Sequence, residues 1–285
     1  MTVREQGFLL LSGYLGDPER KPLTIPQLRK LAQMARKMEK PTAQRELTKE
    51  DLMAIGCEPS FACRVIELLS QEDMLRWYID KGRRAGCTPI TRVTPQYPGR
   101  LRLALGEDAP GVLWLKGNCD LLDRPAISVV GSRNIHPDNL AFADAVGRMA
   151  AVHGYTLVSG NARGADQVAQ NSCLAHGGGV ISVVADVLSQ KTVRGNVLYV
   201  SEEGFDLPFS AQRALQRNRI IHSLSPMTFV AQCAAGKGGT WSGTCDNLRH
   251  SRSKVICFDD GSDAVKELVR RGAIAVSCEE LESIC

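Results

Sequence analysis

Two segments in the second half of the chain place glycine and arginine directly after short β-forming runs. They are Gly131-Ser132-Arg133, after AISVV, and Ser159-Gly160-Asn161-Ala162-Arg163-Gly164, after YTLV. Glycine permits a tight turn and a close backbone approach, amides at a helix start suit an anion, and a guanidinium fork matches phosphate oxygens. A surface salt bridge would explain Arg133 equally well, but a second junction of the same kind favours one phosphate-binding site.

Two later segments carry further hydrogen-bond donors. They are the helical stretch with Arg213, Arg217, Asn218 and Arg219, and the loop Gly236-Lys237-Gly238-Gly239-Thr240 after the run MTFV. Arginines at positions i, i+4 and i+6 predict a broad basic helix surface, whose internal repulsion a bound anion would offset. The loop is not a Walker A motif, because no serine or threonine follows its lysine and the upstream glycine is missing.

Residues that would perform a reaction are not found beside these donors. The sequence has no GxGxxG phrase, no nucleophile elbow and no histidine or cysteine spacing typical of zinc. Glu202 and Glu203 are adjacent in a strand-like run, so their side chains should point to opposite faces. Asp166, near a helix start, is interpreted as a loop-bracing or dipole-favourable residue in preference to a catalytic acid. The prediction is a binding site with no catalytic residue, no cofactor and no metal.

The composition is that of an ordinary folded protein with a small excess of positive charge. Hydrophobic residues make up 44% and charged residues 23% of the 285, and the formal net charge is +4. This charge is compatible with a polyanionic partner but does not demonstrate one. The ten cysteines form no CxxC pair, and the apolar run Phe8–Leu11 is too short for a signal or membrane segment. We expect reduced thiols in a soluble, cytoplasmic protein with no membrane contact.

From Pro125 onward, short β-forming runs alternate with helical stretches. The runs are AISVVG, YTLVSG, GVISVVA, NVLYVSE, MTFVAQC, KVICF and AIAV, and the helical stretches are 137–152, 164–176, 210–224, 241–251 and 262–271. Strands separated by helices of this length predict parallel βαβ units, and hence an α/β fold with a doubly wound, mostly parallel sheet. Ligands of such sheets bind beyond the carboxyl ends of the strands, which is where the glycine-containing segments fall.

The first 86 residues have helical patterns and no convincing strand, which predicts a small N-terminal helical domain. Helices are expected from Ile25 to before Pro41, from Thr48 to Gly56, from Pro59 to Leu69 and from Glu72 to Gly82. Residues 87–122 are proline-rich and are interpreted as a joining segment at the start of a second domain, 87–285. The helical domain has two open roles, a small functional module or a structural cap on the larger domain.

Several phrases from about Tyr97 onward resemble the DprA/Smf family of bacterial DNA-processing proteins. They are YPGRL, VLWLKGN, ISVVGSR, LVSGNARGAD, QRNRIIHSLS and RRGAIAV, of which VGSR, SGNARGAD and RNRII are the most specific. The resemblance implies an extended Rossmann-like domain that binds single-stranded DNA in a basic pocket, forms a homodimer and assists the loading of the recombinase RecA during transformation or repair. It also implies no catalytic turnover. By position, the pocket arginine of the family falls on Arg133, while the other two specific phrases hold Arg163, Arg217, Asn218 and Arg219.

The sequence departs from this family pattern at defined places. Gln170 stands where a histidine is common, and Gln232 where a glutamate usually follows the fifth strand. The segment ADVLSQKTVRGN replaces a glycine-containing loop and a Tyr-Pro phrase, and GKGGTWSGT replaces an SGT-like phrase. These departures suggest a divergent member, and they bear on the ligand more than on the fold.

Two other functions stay open from the sequence. GKGGTWSGT is similar to the glycine-rich loop of nucleotide phosphoribohydrolases, which would make the chain a nucleotide-binding sensor or a nucleotide-cleaving enzyme. The PGGxGTxxE pattern of those enzymes is broken, because Cys245 takes the place of the glutamate. The other possibility is a scaffold that contacts only proteins. Trp114 and Trp241 could stack on bases, although core packing explains either tryptophan better.

Overall fold

The N-terminal part of the chain is a set of short helices. The computed structural model describes residues 1–17, 19–38 and 46–284, and the N-terminal helices are α1 (Val3–Ser12), α2 (Ile25–Ala35), α3 (Lys49–Ala54), α4 (Pro59–Leu69) and α5 (Glu72–Arg84). Capping boxes begin α1, α2 and α3, each built on a threonine at the N-cap. The predicted bounds of α4 are confirmed. Helix α2 ends at Ala35, earlier than expected, and Pro41 lies outside the described residues.

The rest of the chain forms one sheet flanked by helices. The strands are β1 (Thr88–Thr91), β2 (Val112–Gly117), β3 (Ala126–Val130), β4 (Thr156–Ser159), β5 (Gly179–Val183), β6 (Val197–Glu202), β7 (Met227–Val230), β8 (Lys254–Phe258) and β9 (Ile274–Val276). The helices are α6 (Gly99–Leu105), α7 (Pro137–Val152), α8 (Ala165–Ala175), α9 (Ala211–Ser223), α10 (Gly238–His250) and α11 (Asp263–Arg270). Helix α10 starts three residues earlier than the sequence predicted, because the glycine-rich loop supplies its first turn.

The strand order confirms the predicted doubly wound, mostly parallel sheet. The strands pair in the order β1-β2-β6-β5-β4-β3-β7-β8-β9. Across the sheet, all neighbouring strands from β6 through β5, β4, β3, β7 and β8 to β9 are parallel. Only the pairs β1–β2 and β2–β6 in the described sheet are antiparallel. Strand order reverses between β3 and β7, so the crevice at the carboxyl ends of these two strands is where a ligand is expected in this fold class.

The segment 87–122 is not the joining segment that its prolines suggested. It contains β1, α6 and β2, and β2 pairs with β6 from Leu113 opposite Glu202 to Gly117 opposite Leu198. Proline is compatible with β1 because this strand lies at the edge of the sheet, where an amide is not needed on the outer side. The interpretation as a joining segment was therefore wrong, since the segment adds two antiparallel strands to the sheet.

The N-terminal helices pack directly on the sheet. One buried cluster joins Leu9, Leu10 and Tyr78 of the helices to Trp114 and Phe205 of the α/β part. The ring centroids of Tyr78, Trp114 and Phe205 lie 4.6 to 5.2 Å apart, a spacing at which each aromatic pair adds about 0.5–1.5 kcal/mol beyond burial. A separate cluster lies wholly within the helical part. The division of the chain at residue 86 stays a prediction, since the first cluster crosses it.

His222 is a buried ionisable side chain between α9 and β7. It is 1% exposed, and its Nδ1 lies 3.2 Å from Oγ1 of Thr228. Burial, together with the nearby charge of Arg252, lowers the pKa of His222 to about 4. The unfolded chain, with an ordinary histidine pKa near 6.5, therefore binds one more proton than the folded chain between about pH 4 and pH 6.5.

The fold is expected to lose stability through His222 as the pH falls from about 6.5 towards 4. The histidine contributes fully above pH 6.5, and about 2 kcal/mol of its contribution should be lost by about pH 5. Urea unfolding of the wild type and His222→Gln at about pH 7 and pH 5 measures this loss. The decrease in unfolding free energy between these pH values should be about 2 kcal/mol smaller in the variant. Equal decreases in the two proteins would show that His222 does not titrate in this way.

Candidate functional site

One pocket gathers residues from several segments that leave the sheet at its carboxyl-end edge. Its volume is about 150 Å³, and we call it the strand-end pocket. Its lining residues are Arg133, Gly160, Asn161, Ala162, Arg163, Val184, Ala185, Asp186, Phe209 and Arg217. Strands β3, β4 and β5 are parallel, so the loops that follow them meet at one edge. The fold therefore brings together residues that are more than 80 positions apart in the sequence.

The loop after β4 forms one wall of the strand-end pocket and is braced from within by Asp166. Oδ2 of this carboxylate accepts hydrogen bonds from the backbone amides of Gly160, at 3.0 Å, and Ala162, at 3.2 Å. Asp166 is only 5% exposed, which agrees with its interpretation as a loop-bracing acceptor. Gly164 has a φ of +83°, and a β-carbon there would lie 2.3 Å from the carbonyl oxygen of Ser132. Glycine is needed at this position because the loops after β3 and β4 touch there.

Arg217, on α9, is the most deeply set cation of the pocket. Its Nη1 donates to the carbonyl oxygens of Gly160 and Val183, which ties α9 to the ends of β4 and β5. A β-carbon on Gly160 would lie 2.2 to 2.4 Å from the guanidinium, so glycine is what admits Arg217. Burial lowers the pKa of Arg217, and the carboxylates of Asp166 and Asp186 oppose this shift. The side chain stays charged, since an arginine retains its proton in proteins.

Arg133 and Arg163 are the exposed cations of the pocket. Arg133 leaves the loop after β3 and Arg163 the loop after β4, and neither has a salt bridge or side-chain hydrogen bond to any described residue. Asp186 is the single carboxylate in the lining, and its Oδ2 is already paired with Nζ of Lys191 at 2.7 Å. Three arginines against Asp186, which is paired with Lys191, and the buried Asp166 behind the wall leave the pocket with a net positive charge suited to an anion.

An exposed aromatic ring completes the pocket and was not among the predicted site residues. Phe209 is 57% exposed and precedes Ser210, whose side chain caps the start of α9. Arg213 holds this segment in place, because its Nη1 donates to the carbonyl oxygens of Leu207 and Pro208 at 3.1 and 2.7 Å. A sequence signal that could have identified Phe209 was its place after β6, directly before the helix-capping residue Ser210.

The guanidinium of Arg213 is hydrogen-bonded within the protein, so Arg213 does not act as a free cation in the pocket. Besides the two carbonyl oxygens named above, its guanidinium donates to the backbone oxygen of Ala185 and to Oγ of Ser201. Nε also lies 3.7 Å from a carboxylate oxygen of Glu203. The prediction of Arg213 as a phosphate contact is therefore not supported by its position. Its role in the structure is to fix the segment that carries Phe209.

Arg219 and Ser159 also lie away from the pocket lining. Arg219 forms a salt bridge with Glu202 and donates to the backbone oxygen of Asp108. Two residues along an α-helix rotate the direction of a side chain by about 200°, so Arg219 faces away from Arg217. Ser159 is fully buried, and its Oγ accepts from Nε2 of Gln170. Neither side chain is placed to meet a ligand in the strand-end pocket.

The glycine-rich loop after β7 lies next to the strand-end pocket. Oγ1 of Thr240 donates to the backbone oxygen of Gly131 at 3.0 Å, and Nδ2 of Asn218 donates to the backbone oxygen of Gly239 at 3.0 Å. Lys237 is exposed at the start of α10, before Gly238, and does not line the pocket. Thr240, Asn218 and the glycines therefore connect this loop to the one bearing Arg133, and Lys237 is a solvent-facing cation at the same edge of the sheet.

The other polar residues noted in the sequence have structural partners. Gln232 Oε1 accepts from the backbone amide of His136 at 2.8 Å, which braces the loop that follows Arg133. Glu202 faces Arg219 and Glu203 faces Arg213. No group of three or more histidine, cysteine or carboxylate side chains in the described ranges could hold a metal ion. Nor does any helix in the described part of the chain have the length and apolar character needed to cross a membrane.

The two tryptophans considered for base stacking are packing residues. Trp114 is 1% exposed in the cluster between the N-terminal helices and the sheet. Trp241 is partly buried against the main core, with the Arg271 guanidinium 5.5 Å from its ring centroid. Core packing, the explanation that the sequence favoured, agrees with both positions.

Comparison with known proteins gives the same family from sequence. The model of the family "DNA recombination-mediator protein A" matches residues 88–284. The chain is 31% identical over 202 residues to Protein Smf of Escherichia coli, covering 64% of this chain and 52% of that protein. It is 29% identical over 192 residues to DNA processing protein DprA of Streptococcus pneumoniae, covering 60% of this chain and 64% of that protein. The matches thus span between about half and just under two thirds of the length of these curated relatives.

Comparison with solved structures extends the likeness to the N-terminal helices. The X-ray structure of DNA processing protein A from Streptococcus pneumoniae matches with a TM-score of 0.71 at 25% identity, covering 92% of this chain and 93% of that one. DNA processing protein A from Helicobacter pylori, described for its single-stranded DNA binding mode, matches in fold with a TM-score of 0.59 at 22% identity, covering 69% and 94%. Because the family model alone matches well over half of the sequence, the chain belongs to the DNA recombination-mediator protein A family, as the resemblance predicted.

Proposed function

We propose that this chain binds single-stranded DNA in the strand-end pocket and does not alter it covalently. The observation that carries the proposal is the convergence of Arg133, Arg163 and Arg217 from three separate segments on one hollow. Two of these cations have no protein counter-ion in the described residues, and a strand of phosphates supplies what they lack. The single-stranded DNA binding mode described for the Helicobacter pylori relative supports the same ligand.

The shape of the pocket favours a strand over a free nucleotide. Its volume of about 150 Å³ is below the roughly 300–1,000 Å³ of sites that enclose a small molecule. A shallow basic hollow beside an exposed ring is the arrangement in which successive phosphates bind cations and a base stacks on the aromatic side chain. Phe209 supplies such a ring in this chain.

The rival function, cleavage or sensing of a nucleotide, lacks the acid that it would require. Cys245, which stands where the phosphoribohydrolase pattern has glutamate, is packed against the core, and burial raises its pKa. Asp186 is the carboxylate nearest to a ligand, and Lys191 already holds one of its oxygens. We therefore propose binding without turnover, with neither cofactor nor metal.

The family suggests the setting in which this binding acts. We propose that the chain is a homodimer in the cytoplasm and delivers single-stranded DNA to a RecA-type recombinase during recombination or DNA uptake. Exposed arginines suit this role, because phosphate contacts are independent of base sequence and a strand held by them can be transferred. Size-exclusion chromatography with light scattering tests the dimer, and the rate of RecA filament assembly with and without the chain tests delivery.

A binding assay with three ligands tests the proposed function. Fluorescence anisotropy at low salt compares a single-stranded oligothymidylate of about 20 nucleotides, a duplex of the same length and a competing mononucleotide. We expect the single strand to bind tightest, with little competition from the mononucleotide. No binding to the single strand at low salt, or thermal stabilisation by the mononucleotide alone, would overturn the proposal.

Replacing the exposed ring should weaken binding without unfolding the protein. Phe209→Ala is expected to lower the affinity for the single-stranded oligonucleotide by about tenfold, because one stacked base contributes about 1–3 kcal/mol. Phe209→Tyr keeps the ring and should bind within about twofold of the wild type. Anisotropy titration of both variants is the measurement. Equal losses in the two variants would show that Phe209 contributes something other than stacking.

A further inference from the structure

A second surface with an exposed aromatic ring and nearby cations lies on the N-terminal helices, where neither the sequence motifs nor the strand-end pocket account for it. Trp77 on α5 is 59% exposed, unlike Trp114 and Trp241. It lines a surface hollow of about 400 Å³ together with Asp80, Lys81, Arg84 and Ala85, which we call the Trp77 surface. The exposed ring of Trp77 offers an apolar face on which a base could stack.

The charges around Trp77 leave one cation free for an anionic ligand. Nζ of Lys81 lies 5.1 Å from the ring centroid of Trp77, so a cation is already at the edge of the aromatic surface. Asp80 is paired with Arg83 at 3.3 Å, and Lys81 with Asp206 at 2.7 Å. Arg84 is exposed and has no salt bridge to any described residue, so one cation of the surface is uncompensated. An aromatic ring flanked by cations is how proteins hold single-stranded nucleic acid.

The loop after β6 joins the Trp77 surface to the strand-end pocket. Asp206 accepts from Nζ of Lys81 and from the hydroxyl of Tyr78, both at 2.7 Å, and Phe209 follows three residues later. Three residues span at most about 11 Å, which, added to the distances through Lys81 and Asp206, places the ring of Trp77 within about 22 Å of the backbone of Phe209. At about 3.4 Å per stacked nucleotide, this is the length of roughly seven nucleotides or fewer.

A second connection runs through the loop after β5. Asp186 lines the strand-end pocket. Ser189 follows it three residues later in the chain, and the backbone oxygen of Ser189 accepts a hydrogen bond from Nζ of Lys116 at 2.6 Å. The side chain of Lys116 in turn lies beside Gly86, directly after α5 and the Trp77 surface. Lys116 thus contacts both the loop after β5 and the end of α5, and its charge would favour phosphates that lie near these two segments.

We propose that the Trp77 surface is a second contact for the same single strand that occupies the strand-end pocket, with a base stacked on Trp77 and phosphates beside Lys81 and Arg84. The inference rests on the proposed function, because the strand must first lie in the pocket. It assigns to the N-terminal helices a part in binding, in addition to their packing on the sheet. It also predicts that the affinity for DNA depends on strand length.

Oligothymidylates of two lengths test this proposal. A strand of about 4 nucleotides fills the pocket only, and one of about 20 nucleotides reaches Trp77 as well. Trp77→Ala should weaken binding of the long strand by about tenfold and leave the short strand within about twofold. Trp77→Phe keeps a stacking ring and should restore most of the loss. Val152→Ala, an exposed apolar residue at the opposite edge of the sheet, is the matched control.

The outcomes separate this proposal from the proposed function. If the wild type binds neither strand, both fall. If it binds the long strand and Trp77→Ala changes nothing, or weakens both lengths equally, the second contact is refuted while the pocket stands. A change of oligomeric state in Trp77→Ala, seen by size-exclusion chromatography, with unaltered DNA affinity would make the Trp77 surface a contact between copies and would equally overturn the proposal.

Discussion

Replacing Arg133 and Arg163 together with alanine is expected to reduce the affinity for a single-stranded oligonucleotide by about 100-fold. Each exposed guanidinium supplies charge-assisted hydrogen bonds to phosphate, worth about 1.5 kcal/mol or more per contact, and two such losses amount to about two powers of ten. The fold should be unaffected, because neither side chain has a protein partner in the described ranges that its removal would leave unpaired. Anisotropy titration at moderate salt measures the loss.

A charge-matched control isolates position from net charge. Arg148 is exposed late in α7, close to the edge of the sheet opposite the strand-end pocket. Arg148→Ala removes the same charge as either single substitution, so it should change the affinity by less than about twofold if the pocket is the binding site. Losses of similar size from Arg148→Ala and from Arg133→Ala would mean that DNA binds by diffuse attraction and not in the pocket.

The second large effect concerns the stability of the pocket itself. Asp166→Ala is expected to lower the free energy of unfolding by about 2–4 kcal/mol, because the substitution orphans buried donors and removes one of the two carboxylates whose charge offsets the desolvation of Arg217. The amides of Gly160 and Ala162 lose their acceptor at the same time. Urea unfolding measures the change, and the midpoint should shift without a change in the slope of the transition.

A conservative variant separates the two contributions of Asp166. Asp166→Asn keeps an oxygen that can accept from one amide but removes the charge that Arg217 faces, so its loss should be smaller than that of Asp166→Ala. A loss below about 1 kcal/mol in Asp166→Ala would contradict the bracing role, since a side chain only 5% exposed with two amide donors would then contribute almost nothing.

Much of the fold followed from the sequence because the parallel strands are strongly patterned. The runs from AISVV to AIAV are all strands, and the helix bounds 137–152 are those of α7. Strands β1 and β2 escaped prediction, since β1 has four residues with a proline among them and β2 lies between proline-rich stretches that indicated loops. Their pairing is antiparallel and with distant segments, which no local pattern encodes.

The pocket was predictable where backbone geometry determined it and not where side chains competed for partners. Arg133, Gly160 and Arg163 follow strands directly, so the rule for parallel sheets placed them. On α9 the prediction treated three arginines as one surface, although the helical rotation sends Arg219 towards Glu202. Arg213 is taken by carbonyl oxygens of a loop whose path the sequence did not reveal. For the same reason Phe209 and Asp186 were missed.

The salt dependence of binding tests the shared phosphate site most directly. For a single strand, each phosphate contact adds about 0.7 to the slope of log K against log salt concentration. Removing Arg133 and Arg163 should therefore flatten the slope by about 1.4 relative to the wild type, whereas Arg148→Ala should leave the slope unchanged. A double variant whose slope equals that of the wild type would mean that these two arginines do not contact phosphate, and the assignment of the strand-end pocket would fail.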